Sequence, residues 1–149
     1  MFPYIGGKAH HVKWLDPLFP DTFSTFVEVF GGAGWVSVKS TKVAQAITRV
    51  YNDFNPLLAN VYECFRRDPT AVLAKMNSIT KSDPVLYAQY QQELFGTLDW
   101  TKVTLGDLDL CVKYLYLQTQ VFAGTPLSTK NTPYFTETKA GGKYASKYD

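Results

Sequence analysis

The spacing of apolar positions predicts a strand, a helix and a second strand near the N-terminus. The run 26–30 is short, aromatic and β-branched and stops at glycine, which favours a buried strand over a helix. A helix is predicted from Trp35 to about Lys42, and the β-branched run from Val43 to Tyr51 predicts the second strand. Glycines lie between the first strand and the helix, so this part has the order strand, glycine turn, helix, strand.

The rest of the apolar pattern is helical. A cap residue followed by proline begins each of two predicted helices, from Pro56 to about Arg67 and from Pro84 to about Phe95. Another helix is predicted from Pro69 to about Ser78, and the segment 107–122 has almost no polar face, which predicts a buried helix. A short helical face is also predicted before the first strand, at Trp14, Leu15, Leu18 and Phe19.

These patterns divide the chain into three parts. Residues 1–60 form the β-α-β part, residues 61–123 a helical segment, and residues 124–149 a loop or extended region rich in Lys, Tyr, Gly and Thr. In the last part, lysines alternate with aromatic residues. Such interleaving suits contacts with a phosphate backbone and exposed bases, and it equally suits an ordinary solvated loop.

Composition is that of a single globular domain. The chain has 149 residues, of which 46% are hydrophobic and 15% aromatic. A net charge of +2 is too small to indicate nucleic-acid binding by itself. Cys64 and Cys111 have no further ligands at metal spacing, so two reduced thiols and no metal site are expected. Without a membrane-length apolar run or a secretory signal, the expected location is cytoplasmic.

The segment Gly31-Gly32-Ala33-Gly34 is the strongest candidate for binding chemistry. A backbone that leaves a strand sharply and passes close to a ligand needs residues without a Cβ. Asp53 ends the second predicted strand about 20 residues after the glycines, the distance at which a nucleotide-binding β-α-β unit places a carboxylate on a ribose. The expected ligand therefore carries a ribose.

A second glycine motif, Gly6-Gly7-Lys8, lies close to the N-terminus. The glycines allow a close approach of the backbone to a ligand, and the Lys8 ammonium can reach an anionic group. A flexible turn with a solvated lysine explains the same residues. It is not a Walker phosphate loop, because an earlier glycine and a following Ser or Thr are absent.

Three segments, in order and spacing, carry a family resemblance. Residues 4–8 resemble an aromatic-x-Gly-Gly-Lys motif, residues 26–34 a Phe-x-Gly-x-Gly motif, and residues 52–56 an Asp-x-Asn segment of the Dam-like (D12 class) DNA adenine-N6 methyltransferases. Residues 115–124 are similar to the helix end and loop before that family's target-recognition region. The resemblance implies an α/β, Rossmann-like S-adenosylmethionine-dependent methyltransferase fold, incomplete, with a helical insertion. The implied function is site-specific methylation of double-stranded DNA, as part of restriction-modification.

The resemblance also implies S-adenosylmethionine as the cofactor and assigns residue roles. Lys8 would pair with the carboxylate of the methionine part, with Tyr4 packed beside it. Asp53 would accept from both ribose hydroxyls, while Asn52 and Phe54 would touch the adenine.

The remaining implied contacts lie at the end of the first strand. Glu28 and Phe30 would flank the cofactor there, and Gly32 and Gly34 would let the backbone come close. The predicted cofactor-binding residues are Tyr4, Gly6, Gly7, Lys8, Glu28, Phe30, Gly32, Gly34 and Asp53.

The chain departs from the family at the catalytic motif. The family holds the flipped adenine with an Asp-Pro-Pro-Tyr type sequence, and this chain contains no two consecutive prolines. Residues 131–134, Asn-Thr-Pro-Tyr, imitate the motif superficially, with Thr132 in place of the first proline. No catalytic residue is therefore assigned. We expect a fragment of a longer enzyme that is inactive alone and that self-associates or pairs with a complementing chain through free sheet edges.

Two other functions fit parts of the sequence. One is a non-catalytic partner subunit that binds the cofactor or DNA. The other is a nicotinamide-dependent oxidoreductase, which is less favoured because Ser37 occupies the place of the third glycine in Gly-x-Gly-x-x-Gly and because Lys8 would have no role.

Overall fold

A two-stranded parallel sheet organises the N-terminal part of the fold. The computed structural model of the protein describes Tyr4 and residues 6–79, 83–121 and 126–131. Strand β1 (Thr25–Glu28) pairs with strand β2 (Thr48–Tyr51), with Thr25 opposite Thr48 and Glu28 opposite Tyr51. Parallel strands need a crossover connection, so the predicted order of strand, helix and strand is confirmed in its arrangement.

A small apolar cluster covers one face of this sheet. Helix α1 (Val12–Leu15) precedes β1, and helix α2 (Trp35–Lys39) lies in the crossover between the strands. The buried centre of the cluster consists of Val12, Val36 and Val43, with partly buried side chains around it. Phe26 is one of those neighbours, and its ring packs edge to face on Phe19 at 5.7 Å between centroids. Since side chains alternate along a strand, Glu28 lies on the same sheet face as Phe26.

The crossover is more irregular than predicted. Helix α2 ends at Lys39, three residues short of the expected Lys42, and residues 43–45 form a turn of 3-10 helix in place of strand. Ser40 explains both changes. Its hydroxyl bonds the Asp16 carboxylate and accepts from the Val43 N–H over 3.0 Å, which turns the chain and buries Val43 completely.

Four longer helices follow, close to the predicted bounds. They are α3 (Pro56–Arg67), α4 (Pro69–Asn77), α5 (Pro84–Gln91) and α6 (Leu108–Gln120). The predicted caps are confirmed: the Asn55 side chain accepts from the N–H groups of residues 57 and 58, and the Asp83 side chain from those of residues 85 and 86. Beyond α5 the chain continues as a π-helical segment, Gln92–Thr97, so helical structure extends past the predicted end.

The main core lies between α3 and α6. Leu57, Leu58 and Leu117 are fully buried there, and the prediction of a buried final helix is confirmed by the burial of the run 114–118. A buried polar contact joins the same helices: Asn60 accepts from the N–H groups of residues 106 and 107 at 2.7 and 2.9 Å and donates to the Asp107 carbonyl at 2.8 Å. Asn60 thus fixes the start of α6 against α3.

The described residues show a mixed α/β arrangement with a small parallel sheet, which agrees with the predicted class. The further strands of a complete Rossmann-like sheet are not among them. The predicted helical face before β1 is only partly buried, because Trp14 is 68% and Leu18 78% exposed.

Candidate functional site

The chain turns at the carboxyl end of β1, where a candidate site forms. Beyond Glu28 the sheet hydrogen bonds continue for two steps, because the Asn52 N–H donates to the Glu28 carbonyl at 2.9 Å and the Gly31 N–H donates to the Asn52 carbonyl at 2.8 Å. The loop then folds on itself through a 2.8 Å bond from the Gly34 N–H to the Gly31 carbonyl. These bonds place residues 31–34, the glycine loop, at the sheet edge where α/β proteins bind ligands.

Gly31 and Gly32 are both required by the geometry of the loop. Gly32 has a φ of +51°, a left-handed conformation that side chains disfavour. Gly31 lies so close to Tyr51 that an added Cβ would come within 2.1 Å of the ring. The sequence pattern thus identified a loop in which the backbone itself forms the surface.

Two tyrosines with tilted rings in contact support the glycine loop. Tyr51 donates from its hydroxyl to the Gly32 carbonyl at 2.7 Å, and its ring lies 4.2 Å from that of Tyr62 on α3. Burial, with smaller effects from nearby carboxylates, raises the pKa of both phenols well above the usual value. Tyr51 therefore stays protonated and keeps its hydrogen bond to the loop.

Asp53 joins the glycine loop to the segment after β2. Its Oδ2 accepts from the Gly32 N–H at 2.7 Å and its Oδ1 from the Asn55 N–H at 3.0 Å. A carboxylate oxygen has two lone-pair sites, so each oxygen keeps one for a ligand hydroxyl. The side chain is partly exposed at the cleft, where it can receive such a group.

The N-terminal Gly-Gly-Lys motif, residues 6–8, also packs near the glycine loop. Gly7 donates to the Tyr4 carbonyl at 3.0 Å, and an added Cβ at Gly7 would lie 3.0 Å from the indole nitrogen of Trp35. The Lys8 ammonium donates to the Phe30 carbonyl at 3.3 Å. The motif is thus packed against the glycine loop and the start of α2, and Lys8 retains donors for an anionic ligand.

Glu28, at the end of β1, is a buried acid. Its side chain is 6% exposed, and its Oε2 accepts from the Ser37 N–H at 3.1 Å and from the Ser37 hydroxyl. Its Oε1 is buried and has no hydrogen-bond partner among the described residues. The Tyr62 hydroxyl is likewise buried and has no hydrogen-bond partner among the described residues. After burial, the charge of Glu28 contributes to the raised pKa of Tyr62.

An open cleft brings most of the predicted residues together. It holds about 490 Å³ of empty space, part of which opens to solvent. Eight of the nine predicted cofactor-binding residues line it, namely Tyr4, Gly6, Gly7, Lys8, Glu28, Phe30, Gly32 and Asp53. The ninth, Gly34, does not line it. Its φ is +63° and an added Cβ would lie 2.9 Å from the Tyr62 hydroxyl, so it packs the loop onto α3.

The cleft also has lining residues that the prediction omitted, Gly31, Ala33 and Trp35. Trp35 is the first residue of α2, and the apolar pattern predicted only a helical position for it. Its place directly after the glycine loop was the available signal. Of the two residues predicted to touch adenine, neither lines the cleft: the Asn52 side chain donates to the Val29 carbonyl at 2.8 Å, and Phe54 is 95% exposed.

The Asn-Thr-Pro-Tyr segment is described only at its first residue. Gln91 on α5 donates to the backbone carbonyls of Ser128 and Asn131 at 2.6 and 2.8 Å, and the Asn131 side chain accepts from the Ser128 N–H. Asn131 does not line the cleft. Residues 132–149, which hold most of the lysine and tyrosine region, lie outside the described residues, as do residues 122–124 at the predicted end of the last helix.

The described part of the chain holds neither a metal-binding cluster nor a membrane-spanning helix. No three His, Cys, Asp or Glu side chains come together there as a metal site would require. Among the same residues, no helix has both the length and the apolar character needed to span a membrane.

Comparison with known proteins identifies a family for this chain. The family model of the D12 class N6 adenine-specific DNA methyltransferases matches residues 4–147. Modification methylase StsI of Streptococcus sanguinis is 31% identical over 72 residues, which are 48% of this chain and 10% of that protein. The chain thus matches about a tenth of the length of this curated relative. No solved structure matches the chain.

Proposed function

The chain belongs to the D12 class of N6 adenine-specific DNA methyltransferases, and we propose that its cleft binds S-adenosylmethionine for site-specific methylation of DNA adenine. The observation that carries this proposal is the meeting of three segments distant in sequence. Gly-Gly-Lys at 6–8, the glycine loop at 31–34 and Asp53 all reach one cleft at the end of β1.

The residues present fit such a cofactor in shape and polarity. Gly32 exposes backbone without a Cβ, in a conformation that favours glycine. Asp53 keeps an acceptor site on each oxygen, which suits the paired hydroxyls of a ribose. Lys8 offers a cation for the carboxylate of the methionine part. Glu28 also lines the cleft, and its buried Oε1 has no hydrogen-bond partner among the described residues.

The reaction follows from the family. S-adenosylmethionine, when bound, supplies an electrophilic methyl group. The DNA substrate would be double-stranded, with the target adenine flipped out of the helix so that its N6 reaches that methyl. In this scheme the described residues bind and orient the cofactor: Asp53 holds the ribose, Lys8 the carboxylate, and the glycine loop the body of the ligand.

We further propose that this chain alone transfers no methyl group. None of its 149 residues forms an Asp-Pro-Pro-Tyr sequence, the element with which the family is expected to hold the flipped base. This same observation favours the second candidate, a non-catalytic partner subunit that binds cofactor or DNA beside a catalytic chain.

Two measurements test these proposals. Calorimetric titration of S-adenosylmethionine should show saturable binding at one site, with no comparable binding of NAD. Incubation with duplex DNA and methyl-labelled cofactor should leave the DNA unlabelled. A folded chain that binds NAD in preference would contradict the cofactor assignment, and labelled DNA would contradict the inactivity and exclude the non-catalytic subunit.

A further inference from the structure

Ion pairing divides the lysines and arginines of the described residues into two groups. In the helical segment, each described one pairs with a carboxylate, namely Arg66, Arg67, Lys75, Lys102 and Lys113. In residues 6–60 Lys42 pairs with Asp21, whereas four cations form no ion pair with the described residues, namely Lys8, Lys13, Lys39 and Arg49. The β-α-β part therefore carries the cations that are available to an anionic partner.

Two of these unpaired cations lie over tryptophan rings. The Lys13 Nζ on α1 is 4.9 Å from the centroid of the Trp14 ring, and the Lys39 Nζ on α2 is 4.7 Å from that of Trp35. Both lysines are exposed, and so is Trp14. A lysine held against a ring has less side-chain freedom to lose on binding, and its N–H groups that point away from the ring can still donate to a phosphate oxygen.

The two lysine–tryptophan pairs belong to one layer of the fold. Helices α1 and α2 contact each other, and both pack on the small apolar cluster that covers one face of the sheet. Trp35 also lines the cleft, so the Lys39 ammonium lies beside the proposed cofactor site. An anion bound by Lys39 would therefore lie near the mouth of the cleft.

The carboxylates of residues 6–60 do not neutralise these two lysines. Each has other partners in the chain: Asp16 with Ser40 and Thr41, Asp21 with Lys42, Glu28 with Ser37, and Asp53 with Gly32. The charges of Lys13 and Lys39 are thus exposed to solvent and unpaired within the described residues.

We propose that Lys13 and Lys39, held over Trp14 and Trp35, form a surface that binds the phosphate backbone of double-stranded DNA next to the cleft. This inference rests on the DNA substrate of the proposed function and adds a contact surface outside residues 124–149. DNA is the polyanion on which the family acts, and lysine contacts with its phosphates release counterions. Such contacts position a duplex without reading its sequence, so this surface orients the DNA and does not select the target site.

The test measures binding of a fluorescently labelled duplex DNA to the full 149-residue chain, by anisotropy, over a series of salt concentrations. Each neutralised phosphate contributes about 0.9 to the slope of the logarithm of the binding constant against the logarithm of salt concentration. Replacing both lysines, Lys13→Gln with Lys39→Gln, should make this slope shallower by about 1 to 2 and weaken binding about tenfold to thirtyfold near 0.15 M salt. Lys13→Arg with Lys39→Arg keeps both charges and should preserve the slope.

Lys75→Gln with Lys102→Gln is the matched control. It removes two charges as well, but from lysines that pair with Asp109 and Asp99 at 3.2 and 3.3 Å. Net charge falls equally in the two double variants, so a difference between them reports the position of the lysines. The control should keep the wild-type slope.

Cofactor binding separates this inference from the proposed function. Calorimetry with S-adenosylmethionine should give the same affinity for wild type and for the Lys13 and Lys39 double variant, which also shows that the variant is folded. If the double variant does not fold, each single glutamine variant should still make the slope shallower by about 1.

The possible outcomes are distinct. If the folded wild-type chain binds no duplex DNA, or if the control loses as much affinity as the Lys13 and Lys39 double variant, the inference is wrong, and the cofactor proposal stands or falls on the calorimetry alone. If the slope changes in the Lys13 and Lys39 variant only, the inference holds. Absence of cofactor binding in that case would contradict the proposed cofactor and not the DNA surface.

Discussion

The Gly32 N–H donates a 2.7 Å hydrogen bond to the Asp53 carboxylate, which ties the turn after β1 to the end of β2. The two residues are 21 positions apart, and the sheet register brings them together because Glu28 lies opposite Tyr51. The acid therefore has two roles. It holds the glycine loop in its left-handed conformation, and in the proposed function it receives the ribose.

Replacing Asp53 should affect both roles. Asp53→Ala should weaken S-adenosylmethionine binding by about 1 to 3 kcal/mol and lower the free energy of unfolding, because the Gly32 N–H loses its acceptor. Calorimetry and urea denaturation measure the two effects. Asp21→Ala is the control: Asp21 pairs with Lys42 at 2.9 Å and is 95% exposed, so its loss should change either quantity by less than about 1 kcal/mol. Unchanged cofactor affinity in Asp53→Ala would refute the assigned role.

Gly31 gives a prediction about packing alone. Gly31→Ala should lower the free energy of unfolding by about 1 to 3 kcal/mol, because its Cβ would overlap the partly buried ring of Tyr51. Gly96→Ala is the matched control, since the atoms nearest to its Cβ would belong to the exposed side chain of Gln92, which can move away. Chemical denaturation of both variants measures the difference. Equal stability of the two variants would mean that the Tyr51 ring can move aside without cost.

The site was predictable from sequence where its signal is local. A glycine loop after an apolar run and an acid after the next one are patterns within short windows, and both reach the cleft. Contacts across the crossover were not predictable in this way. The bonds from Ser37 to Glu28 and the packing of Tyr51 beneath Gly31 depend on how α2 and β2 return to β1.

The starts of helices and strands were likewise predictable only where their signal is local. Cap and proline pairs placed the starts of α3 and α5 correctly, because a cap acts within one turn. The second strand was predicted five residues too early, at Val43, since a β-branched run does not reveal the tertiary bond from Ser40 to Asp16 that turns the chain. At residues 43–45, strand propensity is overridden by a tertiary contact between residues 24 positions apart.

The two cysteines should be unreactive in the folded chain. Cys64 is 4% exposed and Cys111 is fully buried, and burial raises the pKa of both thiols. Because the thiolate is the reactive form, a thiol-modifying reagent at pH 8 should label neither residue until denaturant is added, when both should react. Mass spectrometry of the labelled chain counts the modified sites. Rapid labelling of Cys111 without denaturant would show that α6 opens readily from the core.

Acid should remove one contribution to the stability of α3. Glu63 accepts hydrogen bonds from Arg66 at 2.7 and 2.8 Å and from Arg67 at 2.6 Å, and those bonds, from Arg66 first, lower the pKa of Glu63 from 4.5 to about 2. A carboxyl whose pKa is lower in the folded state stabilises fully above its unfolded pKa and loses that effect as pH falls through the folded value.

Wild type should therefore be more stable than Glu63→Gln at pH 6, and the difference should shrink between about pH 4.5 and pH 2. Urea denaturation across this range measures it. In an Arg66→Ala background the pH dependence of the Glu63→Gln effect should become smaller, because the first cause of the lowered pKa is gone. A difference that stays constant to pH 2, or one that grows as the pH falls, would mean that Glu63 is not held ionised by its arginines.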